Sequence, residues 1–157
     1  LLCKKSAAMI FVSVTRLRVK SMFYLVPFFL ANEASVKRLI RTPGFLGGRE
    51  LIDKHLTFWT ATLWETERNM REFRNSSAHR EAMQKLPSWC DEASYVHWQQ
   101  EERSLAPWPE LYARMQSDGK LTKVRQPSPQ QLSRAYPPIQ WTRLGRTFKG
   151  NDPVNSQ

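Results

Sequence analysis

The chain has 157 residues, 41% of them hydrophobic and 11% aromatic, including six Trp. That is enough for one domain with a real core. Twenty-four Lys and Arg against 14 Asp and Glu give a net charge of +10. Cys3 and Cys90, without CxxC spacing, exclude a disulfide framework or a zinc site, so a reducing cytoplasm is expected.

Residues 1–8, "LLCKKSAA", precede the first methionine and are read as lying upstream of the domain. The run "MIFVSVTRLR", 9–18, is apolar and β-branched and predicts a strand. "MFYLVPFFLA", 22–31, contains Pro27 and is half the roughly 20 residues of a bilayer span, so no membrane span is expected. It leads into a helix with Pro27 at its first position, carrying Phe28, Ala31, Ser35 and Leu39 on one face and ending at Pro43–Gly44. Two strands follow, about 45–54 and 57–65, joined by a turn near His55. The second is apolar on both faces, so both must be covered.

A long helix is expected from the Thr66 cap, with Met70, Phe73, Met83 and Leu86 on its buried stripe. "NSS", 75–77, interrupts it, Ser76 or Ser77 caps the second piece, and Pro87 ends it. "DEASYVHWQQ", 91–100, alternates as a fourth strand. Beyond it come a short helix in "PWPELYARMQSDG" and another in "SPQQLSRAY", capped by Ser128. The remainder lacks a period and reads as an arm or partly disordered tail, wrapping the core or a second subunit through Trp141 and Phe148. Between Asp118 and Asp152 lie seven Lys or Arg and no acid. Without dense basic runs or interleaved aromatics, this segment reads as a solvated basic tail rather than a nucleic-acid interface.

The order β-α-β-β-α-β predicts an α+β, ferredoxin-like split βαβ domain over 9–99, with a C-terminal helical extension and basic tail over 100–157. Both helices take one sheet face. The other, apolar along strand 57–65, is expected to be covered by a second subunit, making a homodimer.

The pattern "TPGFLGGRE…FWTATLWETERNMREF…SAHREAM" resembles the antibiotic biosynthesis monooxygenase superfamily of dimeric α/β barrels. "HREAM", Trp89 and "DEASYVHW" are most similar to a subset related to spheroidene monooxygenase. The resemblance implies a pocket for a small apolar aromatic or polyene substrate and either cofactor-independent oxygenation or heme-linked chemistry. The heme-degrading branch uses an Asn, a Trp and an iron-ligating His. Here these positions fall on Thr15, Trp64 and near Met83, so two of the three depart.

His79 is the candidate base or ligand, one helical turn before Met83. Its alternative is a structural residue bonded at the helix break to Ser76, Glu81 or a backbone carbonyl. Trp64 and Phe73 are candidate pocket walls, Thr15 a polar contact, Met83 a substrate contact, and Arg80 or Arg16 an anion holder. Trp59 and Trp98 read as core or dimer interface. His55 reads as exposed, and His97 as packed on Tyr95. No cofactor is the first expectation, with heme through His79 as the alternative. The rival from another class is a non-catalytic ligand-binding or assembly protein.

Overall fold

The computed structural model describes residues 7–140 and 144–151. Four strands form the centre of an antiparallel sheet: β1 (Ile10–Val19), β2 (Phe45–Asp53), β3 (Thr57–Trp64) and β4 (Cys90–Gln100). They lie in the order β4-β1-β3-β2, the α+β ferredoxin-like arrangement. Three helices, α1 (Leu25–Leu39), α2 (Glu67–Arg74) and α3 (Ser77–Trp89), cover one face. Thr66 caps α2, its side chain accepting from the Asn69 N–H. Between β2 and β3 a single 3-10 turn, Lys54–Leu56, holds His55 and Leu56 at φ 59° and 58°.

Several expectations need correcting. Helix α1 begins at Leu25, after a 3-10 turn at Met22–Tyr24, so Pro27 sits within its first turn rather than opening it. The missing N–H costs nothing there, because first-turn donors have no helical acceptor. Pro87 does not end α3, which continues to Trp89; Lys20 N–H instead bonds the Trp89 carbonyl at 2.9 Å. The tail also contains regular structure. Strand β6 (Gly145–Lys149) pairs with the outer edge of β2, and Phe148 is buried. Trp141 lies outside the described residues.

The largest correction concerns the second sheet face. It presents Ile10, Val12, Val14, Trp59, Ala61, Leu63 and Val96, and the chain covers it itself. Leu111 and Met115 of helix α4 (Trp108–Asp118), with Tyr136 from beyond α5 (Pro129–Ser133), complete one buried cluster with these side chains. The two-residue strand β5 (Lys120–Leu121) pairs with β4 on the way. The homodimer expectation rested on this face being open, and that premise does not hold. Trp59 is core, as one of its two readings had it, and packs against Tyr112 of α4.

Polar side chains fix the extension in place. Ser128 caps α5, accepting from the Gln131 N–H at 3.1 Å, and donates to the Glu92 carboxylate at 2.6 Å. Gln131 pairs with both backbone groups of Ala93 on β4. Arg16, expected as an anion holder, points to this side: it is 2% exposed, pairs with Glu92 and lies 4.2 Å under the Tyr136 ring. Strand alternation sends it away from the helix-covered face.

Candidate functional site

Between the sheet and helices α1, α2 and α3 lies a cavity of about 350 Å³. Its floor follows from the strand register. Ser13 of β1 stands between Thr62 of β3 and His97 of β4, and Thr15 stands between Thr60 and Tyr95. Two rows of hydroxyl, phenol and imidazole groups therefore cross the middle of an otherwise apolar face. The walls are Phe28, Val36 and Leu39 from α1, Met70 and Phe73 from α2, and His79, Met83 and Leu86 from α3.

Trp64 closes one end. Its indole N–H donates to Thr62 Oγ1 at 2.9 Å, and Thr62 donates to the Ser13 carbonyl at 3.2 Å. Trp64 is fully buried, with its ring stacked on Phe73 at 5.7 Å. Phe73 in turn meets His79, ring centroids 4.8 Å apart. The indole orientation is thus fixed by one hydrogen bond and by aromatic contacts with Phe73 and Phe45.

The break between α2 and α3 explains how His79 is placed. At Asn75–Ser77, short polar residues with weak helix preference, one helix ends and another begins. The last carbonyls of α2 then lack helical partners. His79 Nδ1 lies 3.1 Å from the Arg74 carbonyl, and Arg80 Nη2 donates to the Asn75 carbonyl at 3.1 Å. Ser76 occupies the cap position of α3 without a side-chain cap bond. The helical spacing then brings His79 and Met83 to the same cavity.

A carbonyl only accepts, so Nδ1 carries the proton and Nε2 is the bare nitrogen of the neutral ring. Burial lowers the His79 pKa from 6.5; the Arg74 carbonyl bond opposes this and the nearby Arg74 charge adds to it. Burial thus favours the uncharged ring, and the Arg74 carbonyl favours the tautomer with its proton on Nδ1.

Thr15, Trp64, Phe73, His79 and Met83 all line this cavity. Arg80 does not. It is exposed, its guanidinium taken by the helix break, and Arg74 is the arginine at the cavity wall. Sequence reasoning undervalued His97. It does pack on Tyr95 as expected, at 4.9 Å, and also against Phe11, yet it lines the cavity as well. Burial lowers its pKa too. Its parity with Ser13 and Thr62 was the available signal, but reading it requires the strand register. Among the described residues no cluster of His, Cys, Asp and Glu suits a metal ion, and no helix is long and apolar enough to cross a membrane.

No protein-family model matches the chain, and a search of curated proteins finds no match. Solved structures do match. A protein from Shewanella oneidensis superposes with a TM-score of 0.53 at 10% identity, covering 59% of this chain and 92% of its own. A Nitrosomonas europaea protein described as an antibiotic biosynthesis monooxygenase gives 0.50 at 15% identity, covering 58% and 88%. Another antibiotic biosynthesis monooxygenase gives 0.50 at 7% identity, covering 62% and 99%. At such identities the likeness is one of fold, and the chain has the fold of the antibiotic biosynthesis monooxygenases. The matches span most of those chains but leave over a third of this one uncovered.

Proposed function

We propose that this protein is a monooxygenase-like enzyme that binds a small, flat, apolar substrate in the cavity beneath α1, α2 and α3. One observation carries the reading: an imidazole, its Nδ1 set 3.1 Å from the Arg74 carbonyl, stands at the wall of an apolar cavity. About 350 Å³ lies near the lower end of small-molecule pockets, roughly 300–1,000 Å³. That suits a compact aromatic system or one end of a polyene, held against Trp64 and Phe73.

The chemistry follows from the base. A methylene beside a phenol or enol loses a proton to His79 Nε2, and the resulting carbanion supplies electrons to dioxygen. A C–O bond forms, giving a hydroperoxide; loss of water then leaves a carbonyl. The balance is CH₂ and O₂ to C=O and H₂O, with no further reductant. The hydroxyls of Thr15, Thr60 and Ser13 orient the substrate oxygen.

A second reading rests on the same nitrogen. An imidazole whose Nδ1–H is held by a carbonyl is also a suitable axial iron ligand. His79 would be the residue to hold the iron of a heme in this cavity, and that group would supply oxygen chemistry there.

The test is oxygen uptake with an anthrone-type substrate, with label from ¹⁸O₂ traced into the product carbonyl. His79→Ala should abolish turnover and retain the far-UV spectrum. Turnover undiminished in His79→Ala would sink the assignment of the base. A Soret band from added hemin, lost in His79→Ala, would favour the second reading. Ligand binding without oxygen uptake would favour a non-catalytic carrier.

A further inference from the structure

The outer face of α1 contrasts with its inner face. Phe28, Ala31 and Ser35 turn toward the cavity, while Val26, Phe29 and Leu30, with Met22 and Phe23 of the preceding 3-10 turn, turn to solvent. Phe23 is 82% exposed, and Met22, Val26 and Leu30 are each at least 64% exposed. The spacing 22, 23, 26, 29, 30 is that of a single helical stripe. Lone exposed apolar residues are ordinary, but five on one stripe form a patch.

The surroundings of this patch are basic. The turn Lys54–Leu56 lies beside the helix start, with Leu56 in the same cluster as Tyr24 and Leu25. The end of α3 is joined to Lys20 through the Trp89 carbonyl and to Arg125 through the Pro87 carbonyl. Lys54, Lys85, Lys123 and Arg125 at this end are all exposed. Three nearby acids are engaged: Asp91 and Glu92 by Arg18 and Arg16, and Asp53 by backbone N–H groups.

We infer that the start of α1 docks on an anionic phospholipid surface, with Phe23 and its neighbours entering the headgroup boundary and the lysine rim facing the lipid phosphates. Such a stripe lies in the interface without spanning it. Basic side chains close to the surface add attraction that salt screens. A second copy of the chain is a poorer occupant. A two-fold contact places each patch on itself, so it would bring like-charged lysine rims together. Docking does not depend on the proposed reaction. It would, however, set the cavity directly behind the membrane-facing helix, where apolar molecules are concentrated.

The test is flotation of the full chain with phosphatidylcholine vesicles and with vesicles containing phosphatidylglycerol. Binding should be about ten-fold stronger to the anionic vesicles and fall with salt. Phe23→Ser with Leu30→Ser should weaken it by about ten-fold while leaving the melting temperature unchanged, since both side chains are exposed. Lys54→Gln with Lys85→Gln should weaken it and reduce its salt dependence. Failure to bind anionic vesicles overturns the inference. So does binding that the serine pair leaves intact, which would be diffuse attraction by the net charge. Light scattering that shows a dimer dissociated by the serine pair would assign the patch to a second copy and overturn it equally.

Discussion

Arg16 and Glu92 form an ion pair of 2.5 Å in the layer between the sheet and the C-terminal extension, 2% and 0% exposed. Neither charge reaches water. Glu92 also meets Ser128 and Arg18, and Arg16 lies against the faces of Tyr136 and Trp59 while its Nε has no hydrogen-bond partner. A charge pair of this kind contributes little beyond what an apolar pair would, but removing one partner strands the other.

Glu92→Ala is therefore expected to destabilise the fold by about 3–5 kcal/mol, because Arg16 keeps its charge without a counterion. The double change Arg16→Met with Glu92→Leu is expected to recover most of that loss. Chemical denaturation of the three proteins checks both statements, and equal loss in the single and double variants would refute the account.

The extension fills the place that a second subunit was expected to take. Light scattering of the full chain in detergent-free buffer should thus give a monomer. Ending the chain after residue 104 removes Leu111, Met115 and Tyr136 and uncovers Val12, Val14, Trp59 and Leu63. That truncated chain is expected to dimerise or aggregate. A truncated chain that stays monomeric and soluble would show that the sheet face needs no cover.

The sequence made the central fold legible for a physical reason. Strand 57–65 has apolar residues on both parities, and a central strand is the place such a segment fits. The same double-sided pattern stated that the far face must be covered, but not by what. Leu111 and Met115 share α4 while Tyr136 lies beyond α5, and no local period links them to Val12 or Trp59. Strand β6 was missed similarly, since "GRTFK" has one buried side chain in five and gains its order from pairing with β2. The helical positions of the site, His79 and Met83, were readable because one turn separates them. His97 was undervalued because its place among the cavity residues depends on register across three strands.

Ala82 lines the cavity on α3 and has no side chain beyond Cβ. Ala82→Phe should fill part of the roughly 350 Å³ and weaken binding of a flat aromatic ligand by about ten-fold or more. Stability should change little, because the added ring enters empty space instead of packed core. Trp64 and Trp89 both line the cavity, so quenching of tryptophan fluorescence reports binding. An unchanged affinity in Ala82→Phe would mean that the ligand sits elsewhere.

The two cavity histidines give the protein a pH signature of definite sign. Burial lowers the pKa of both His79 and His97 from 6.5, so on falling pH the unfolded chain takes up their protons before the folded one. Stability is accordingly full above pH 6.5 and is lost as pH falls through 6.5 toward the folded-state values. Urea unfolding at a series of pH values should show this decline. His79→Asn should remove part of the slope and His97→Asn another part, since neither replacement titrates. Turnover, if His79 is the base, should decline on the same acid side with an apparent pKa below 6.5, because only the bare Nε2 accepts a proton. In His97→Asn the stability slope should shrink while the turnover profile stays in place. A turnover profile that moves with His97 instead of His79 would transfer the role of base across the cavity.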